Sequence, residues 1–313
     1  MRVIQVQSPG LLTTVQDLGR EGFGPLGVSP SGAADQISLR LGNRLVANSE
    51  SAAGLEMTLL GGTFLFPTGA ILALTGSEFD ATLDGSTVDF WTAFEIRSGQ
   101  TLSVGPARSG ARCYLCVQGG IAVKPFLGSA STHILSGLGG FEGRSLRKGD
   151  VLRVGSASEP FRKRTVAPRA RAYLSSREIL RVTDGPQSDW FSESSNRSFY
   201  AETYRVGEQS NRMGLRLEGA PVTQSSSREM ITEGVSLGAV QVTHGGLPVI
   251  LFVEQQTTGG YPKIANVISA DIHRVGQLRP RDEVRFEQVT QETARSLLME
   301  QERILASEEL ILE

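Results

Sequence analysis

The sequence predicts a mainly β protein made of two β-barrel-like domains with a few short helices. Glycine accounts for 36 of the 313 residues, well above the usual share of about 7%. Many of these glycines separate short segments in which apolar and polar residues alternate, a pattern typical of strands joined by tight turns. The chain is also long enough for two domains of roughly 150 residues, each with its own core.

A weak internal repeat supports two domains of similar design. LRKGDVLRV at 146–154 resembles LRPRDEVRF at 278–286, with Leu, Arg, Asp, an aliphatic residue and Arg at equal offsets. Upstream, YLCVQ at 114–118 resembles ILFVE at 250–254. We therefore predict an N-terminal domain over 1–160, a linker over 161–176 and a C-terminal domain over 177–313. The linker is rich in Pro and Arg and is interpreted as a solvated connector; binding of a small anion is the alternative.

Glycine turns also separate the strands predicted in the first half. Residues 55–66 form two strands broken at Gly61–Gly62, and Asp84–Gly85 is a strong hairpin signal. In ARCYLCVQGGIAV, at 111–123, Gly119–Gly120 joins two further strands, and a closing strand follows near Leu152–Val154. The second half opens with a strand in EILRVTDGPQ.

Three short helices are predicted. Ile37, Leu41 and Leu45 recur at helical spacing, which predicts a helix over 35–47 with Asp35 as its N-cap. Aromatic residues around 190–200 indicate a second helix, and apolar residues on one face predict a third over 290–307.

The overall charge and apolar content exclude several classes of partner. The formal net charge of −2 favours neither nucleic acid nor an anionic membrane. No apolar run reaches the roughly 18–20 residues of a membrane span, and MRVIQVQSPG lacks the apolar core of a signal peptide. With only two cysteines in the chain, we expect a cytoplasmic protein with no membrane partner.

Several short motifs do not predict catalysis. Cys113 and Cys116 form a CxxC inside an alternating strand, whereas a redox CxxC opens a helix, so both are expected to be packing residues. The pattern GVSLG at 234–238 precedes a strand rather than the helix that a nucleophile elbow needs. The three histidines show no metal-ligand spacing, and no nucleotide-binding motif is present.

Two polar, glycine-rich blocks are the candidate binding elements. In residues 13–32, Gln16, Asp17, Arg20 and Ser31 stand among five glycines, where backbone N–H groups can approach a ligand. Ser31 has an alternative as a simple turn residue. The second block contains Gln256, Thr257, Thr258 and Tyr261 around Gly259–Gly260. Its amide and hydroxyl groups suit amides, carboxylates or phosphates, although a purely structural turn is an equal alternative.

The string TTVQDLGREGFGPLGVSPSGAAD resembles the signature of the biotin-dependent carboxyltransferase subdomain A/B family. This family is also known as allophanate hydrolase subunit 2, Kip antagonist or the C subunit of 5-oxoprolinase. GGIAVKPFLGSASTHILSGLGGFEGRSLRKGD and EQQTTGGYPKIA extend the resemblance over nearly the whole chain. It implies that the two barrels, subdomains A and B, are cyclophilin-like.

The resemblance implies one component of a multi-subunit, ATP-dependent 5-oxoprolinase, which hydrolyses 5-oxo-L-proline to L-glutamate. The implied partners are the sister B subunit, similar to allophanate hydrolase subunit 1, and the sister A subunit, and ATP is expected through the complex. Asp17 and Arg20 are the catalytic candidates: Arg20 would bind a carboxylate or phosphate, and Asp17 would orient it or act as a base. The substrate-binding candidates are Gln16, Ser31, Gln256, Thr257, Thr258 and Tyr261, and no metal is expected.

Two alternatives remain open. One is a carboxyltransferase-type component of a urea carboxylase or allophanate hydrolase-like system, for which biotin would arrive on another protein. The other is a non-catalytic regulator that binds a Kip inhibitor-like sister protein. Three positions depart from the family pattern: Ala130 stands where Arg is typical, Glu254 where Asp is usual, and Arg281 where Gly is usual.

Overall fold

The structure is a computed structural model that describes residues 2–157, 160–175, 178–225 and 228–313. Met1, at the start of the first predicted strand, and Ser176, the end of the predicted linker, lie outside these ranges. The mainly β prediction is confirmed. The chain divides into two compact units, the first made of Met1–Arg20, Ser31–Tyr173 and Glu308–Glu313, the second of Glu21–Pro30 and Leu174–Ser307.

Among the described residues, the first unit has thirteen strands before the final one, and all of them except the thirteenth form two antiparallel sheets. In chain order they are β1 (Val3–Ser8), β2 (Leu12–Gln16), β3 (Gly54–Thr58), β4 (Thr63–Phe66), β5 (Ala70–Gly76), β6 (Phe79–Leu83), β7 (Ser86–Thr87), β8 (Ala93–Ile96), β9 (Gln100–Ala107), β10 (Arg112–Val117), β11 (Ile121–Ala122), β12 (Val151–Val154) and β13 (Thr165–Val166). The seven-stranded sheet has the order β11-β12-β1-β4-β9-β6-β7, and the five-stranded sheet has the order β2-β3-β10-β5-β8. The predicted breaks at Gly61–Gly62, Asp84–Gly85 and Gly119–Gly120 all fall between strands.

Helix α1 (Gln36–Leu45) packs on the five-stranded sheet and fixes the end of the glycine-rich loop. Asp35 caps it as predicted, because its carboxylate accepts hydrogen bonds from Ser38 N at 3.0 Å and Ser38 Oγ at 2.6 Å. A Cβ at Gly42 would lie only 2.6 Å from Cys116 Sγ. Glycine there lets the helix approach β10 closely.

The second unit is built on a closed barrel. Its strands are β14 (Ile179–Asp184), β15 (Tyr204–Val206), β16 (Gly214–Glu218), β17 (Glu233–Gly234), β18 (Ala239–Val242), β19 (Pro248–Leu251), β20 (Thr258–Gly259), β21 (Lys263–Val267) and β22 (Glu283–Gln288). The barrel order is β14-β21-β18-β19-β16-β15-β22, and a parallel pairing of β14 with β22 closes it. β17 and β20 pair separately as a two-stranded ribbon.

Short helices complete the two units. They are α2 (Pro168–Ser175), α3 (Glu193–Ala201), α4 (Ile272–Val275) and α5 (Gln291–Ala306). The helices predicted around 190–200 and over 290–307 correspond to α3 and α5. Phe199 of α3 stacks on Phe286 of β22 with ring centroids 4.5 Å apart, which ties α3 to the barrel.

The described part of the predicted linker is regular structure rather than a connector. β13 pairs with a final strand, β23 (Ile311–Leu312), and α2 follows directly. Arg162 and Arg164 form ion pairs with Glu313, at 3.4 and 3.1 Å. Composition could not reveal this, because the partner strand lies about half the chain away in the sequence.

The internal repeat corresponds to the same turn in both units. Before β12, Arg147 N donates to Asp150 Oδ2 at 2.7 Å, and before β22, Arg279 N donates to Asp282 Oδ2 at 3.1 Å. The residue before each Asp has positive φ: Gly149 at +94° and Arg281 at +77°. Arg281 therefore stands at a position whose backbone favours glycine.

Candidate functional site

The predicted residues of the first unit converge on the segment 126–132; we call this arrangement the loop cluster. Asp17 lies just after β2, and its carboxylate accepts four hydrogen bonds. Gly19 N, Ser129 Oγ and Ser131 Oγ donate to Oδ1 at 2.8, 2.6 and 2.5 Å, and Ala130 N donates to Oδ2 at 2.6 Å. The carboxylate therefore holds the 129–131 backbone in place.

Arg20 is 2% exposed and is directed to the same segment. Its Nε donates to the carbonyl of Phe126 at 3.3 Å, and its Nη2 donates to the carbonyl of Ser131. The guanidinium also lies over the Phe126 ring, 5.7 Å from the centroid. The catalytic roles of Asp17 and Arg20 stay predictions; the hydrogen bonds of both side chains stabilise one loop against another.

Gln16 and Ser31 meet at a single carbonyl. Gln16 Nε2 and Ser31 Oγ both donate to Thr132 O, at 3.1 and 2.7 Å. Ser31 has φ of +55°, so this hydrogen bond accompanies an unfavourable backbone conformation. Gln16 Oε1 is buried and has no hydrogen-bond partner among the described residues.

Buried polar groups hold the end of the glycine-rich loop in place, at the point where α1 begins. Tyr114 OH donates to Glu56 Oε2 at 2.8 Å and accepts from Asp35 N at 2.7 Å, while Ala34 N also donates to Glu56 at 2.8 Å. Burial, and then the negative charge of Glu56, raise the pKa of Tyr114 well above its ordinary value. The hydroxyl therefore stays protonated and remains a donor.

The second unit holds a separate polar group on and beside β21, which we call the barrel cluster. Lys263 is 3% exposed, and its Nζ donates to Glu233 Oε1. Gln187 Nε2 donates to the same oxygen at 3.1 Å, and Lys263 N donates to Gln187 Oε1 at 3.1 Å. The hydrogen bonds from Lys263 and Gln187 lower the pKa of Glu233, so the carboxyl stays ionised.

The predicted residues of the second block lie beside this cluster, because β20 pairs with β17 and Glu233 stands opposite Gly259. Gln256 Nε2 donates to Gln241 Oε1 at 3.4 Å, and Gln241 Nε2 donates to the carbonyl of Tyr261 at 3.5 Å. The Tyr261 ring meets His244 edge-on, with centroids 5.2 Å apart. Thr258, in β20, is exposed to solvent, whereas Thr257 is half-buried. Together these residues combine neutral amides and hydroxyls with one ammonium group, that of Lys263, and one carboxylate, that of Glu233.

Sequence reasoning missed two members of the barrel cluster. Lys263 and Gln187 stand in the blocks EQQTTGGYPKIA and DGPQ, and a lysine opening an apolar strand was the available signal. Glu254, which departs from the family pattern, forms a buried ion pair with Arg212 at 2.5 Å, both side chains being at most 5% exposed. This pair shows that the longer carboxylate is accommodated.

The motifs interpreted as non-catalytic behave as expected. Cys113 and Cys116 are buried and free in β10, and burial raises the pKa of both thiols. Strand β18 follows GVSLG. Within the described ranges, no three His, Cys, Asp or Glu side chains are grouped to hold a metal ion. None of the helices described is both long and apolar enough for a membrane crossing.

Residues 26–288 match the family model of the carboxyltransferase domain, subdomain A and B. The chain belongs to this family. Members among the relatives include the C subunit of 5-oxoprolinase from Escherichia coli (strain K12), 38% identical over 303 residues that make up 96% of each chain. The corresponding C subunit of 5-oxoprolinase from Haemophilus influenzae is 35% identical over 91% of this chain and 90% of that protein.

The carboxyltransferase family also includes parts of much longer enzymes. Urea amidolyase of Saccharomyces cerevisiae is 34% identical over 97% of this chain but only 18% of that enzyme. The crystal structure of the K. lactis urea amidolyase superposes with a TM-score of 0.90 at 33% identity, covering 99% of this chain and 21% of that chain. The arrangement of strands described above is therefore shared with these enzymes.

Proposed function

We propose that this chain is the C subunit of an ATP-dependent 5-oxoprolinase and contributes to hydrolysis of 5-oxo-L-proline to L-glutamate together with sister subunits. The observation that carries the proposal is the match to the C subunit of the Escherichia coli 5-oxoprolinase over 96% of both chains. The urea amidolyase of Saccharomyces cerevisiae matches as much of this chain, but the matched part is only 18% of that enzyme.

The barrel cluster and the residues beside it offer hydrogen-bond donors of the kind that lactam opening needs. Attack on the lactam carbonyl places negative charge on its oxygen, which preorganised donors stabilise. In this proposal Lys263 Nζ and Gln256 Nε2 donate to that oxygen, and the hydroxyls of Thr257, Thr258 and Tyr261 bind the rest of the substrate. Glu233 fixes the position of the Lys263 ammonium group through a hydrogen bond.

The loop cluster fills a positioning role in the proposal. The sequence predicts that Asp17 either orients a bound group or acts as a base. Its four hydrogen bonds favour the orienting role. Arg20 fixes the carbonyls of Phe126 and Ser131 in the same way. ATP enters through the sister proteins in this proposal, since no nucleotide-binding motif is found in this sequence.

The decisive experiment reconstitutes the complex. This chain is co-expressed with the A and B proteins of 5-oxoprolinase from the same genome, and ATP-dependent glutamate release from 5-oxoproline is measured with and without it. We expect glutamate release only when all three proteins are present. Lys263→Met should lower kcat at least tenfold, while Lys148→Met, at an exposed lysine in a turn of the first unit, should leave it unchanged. Equal release without this chain contradicts the proposal.

Because urea amidolyases are among the relatives, the carboxyltransferase alternative can be tested directly. If the partner protein carries biotin, a biotin blot of co-purified material detects it, and ATP-dependent carboxylation of urea replaces glutamate release. A regulator would instead bind its Kip inhibitor-like partner in a pull-down while the reconstituted set turns over neither substrate.

A further inference from the structure

A cavity of about 620 Å³ lies in the first unit, away from the loop cluster. One wall is the end of the five-stranded sheet, where Ile71 of β5 pairs with Glu95 of β8. The other wall is the seven-stranded sheet, with Leu83 of β6 and Arg2 at the start of β1. The cavity has the size of a small-molecule site, roughly 300–1,000 Å³.

The lining combines apolar surface with three charged groups. Ile71 and Leu83 are half-buried, and Ile96 is 2% exposed. Arg2, Arg97 and Glu95 line the same cavity. Polar groups provide the larger part of this lining, so a charged ligand suits it better than an apolar one.

The charged groups are available to a ligand. Arg2 Nη2 donates to the carbonyl of Gly155 at 2.6 Å, which holds its guanidinium in place and uses one of its five N–H donors. Among the described residues, the side chains of Arg97 and Glu95 form no ion pair, although they stand two residues apart on β8 and the turn that follows. The cavity therefore presents two cationic groups and one anionic group.

We propose that this cavity binds an acidic amino acid. Two guanidiniums complement two carboxylates, because a guanidinium fork matches a carboxylate in charge and geometry. Glu95 complements the α-ammonium group, and Ile71, Ile96 and Leu83 contact the methylene groups. The net charge of the lining, +1, matches the net charge of such a ligand, −1. The proposal does not depend on the 5-oxoprolinase assignment.

Calorimetric titration of the full chain with L-glutamate and L-aspartate tests the site. We expect saturable binding of one equivalent of at least one of them. L-Glutamine, which lacks the second carboxylate, and glutarate, which lacks the ammonium group, should bind at least tenfold more weakly than L-glutamate.

Variants locate the site. Arg97→Gln should abolish the preference for L-glutamate over L-glutamine, and Glu95→Gln should abolish the preference for L-glutamate over glutarate. Both residues are exposed, so the fold should be unaffected. Lys148→Met, at an exposed lysine outside the cavity lining, should leave the affinity unchanged. No saturable binding, unchanged selectivity in both cavity variants, or loss of binding in Lys148→Met overturns the proposal.

Discussion

At the scale of the residue, Asp17 shows how a polar side chain organises a glycine-rich loop. The loop has little side-chain packing of its own, so the four donors to the Asp17 carboxylate define its shape. Gly32 adds a steric requirement: with φ of +90°, a Cβ there would lie 2.8 Å from Gly19 N. A carboxylate and a glycine together permit the close approach of two segments.

Asp17→Asn should reduce the free energy of unfolding by about 1–3 kcal/mol, because an amide NH2 would face a donor in place of one oxygen. Urea denaturation of the isolated chain measures the loss. Asp89→Asn, at an exposed carboxylate, is the matched control and should change stability by under about 0.5 kcal/mol. Equal stability of both variants would contradict the anchoring role.

At the scale of the element, the repeated turn before β12 and β22 allows two effects on stability to be compared: that of the backbone conformation and that of a side-chain ion pair. Both turns use an Asp carboxylate to accept the backbone N–H three residues earlier. The first turn has Gly149 at its left-handed position, and the second has Arg281. The exposed ion pair of Arg281 with Glu208, at 2.7 Å, contributes little in water.

Arg281→Gly should therefore raise the free energy of unfolding, by about 1 kcal/mol, because a left-handed conformation costs a non-glycine residue roughly 1–2 kcal/mol. Gly149→Ala is the reciprocal variant and should lower the free energy of unfolding by a similar amount. No neighbouring atom lies within 4 Å of the added Cβ, so no steric clash adds to the cost of the backbone conformation. Thermal and urea unfolding curves compare the two. A loss of stability in Arg281→Gly would mean that the Glu208 contact outweighs backbone strain.

At the scale of the whole molecule, the proposed function gives this chain only part of the groups that ATP-driven hydrolysis needs. The loop cluster and the barrel cluster contain hydrogen-bond donors, an amine and carboxylates. Such a set is what one contributor to a shared active site provides. A shared site requires a stable interface, typically above about 1,000 Å² in total.

We expect this chain to be nearly inactive alone and to associate at micromolar concentration with the sister protein that resembles allophanate hydrolase subunit 1. Size-exclusion chromatography of each protein separately and of their mixture detects the complex, and turnover is assayed in the same fractions. Lys148→Met serves again as the neutral variant. Full ATP-dependent activity from this chain alone, or separate elution at micromolar concentration, would exclude a shared site.

The sequence by itself determined the features that depend on neighbouring residues. Alternating apolar and polar residues, bounded by turn residues, located the strands on either side of Gly61–Gly62 and Asp84–Gly85. The spacing of Ile37, Leu41 and Leu45 located α1, and Asp35 its cap. These are local preferences of backbone and side chain, so a short stretch of sequence contains the necessary information.

Only the tertiary structure decided which distant groups meet. Ser129 reaches Asp17 across 112 residues, and Lys263 reaches Glu233 across 30. The pairing of β13 with β23, and the parallel closure of β14 on β22, join segments more than a hundred residues apart. Such contacts form because folding buries apolar faces and must then pair each polar group that is removed from water. No local pattern specifies which distant group is the partner. Composition therefore predicted a connector over 161–176, and the role of Lys263 was not predicted.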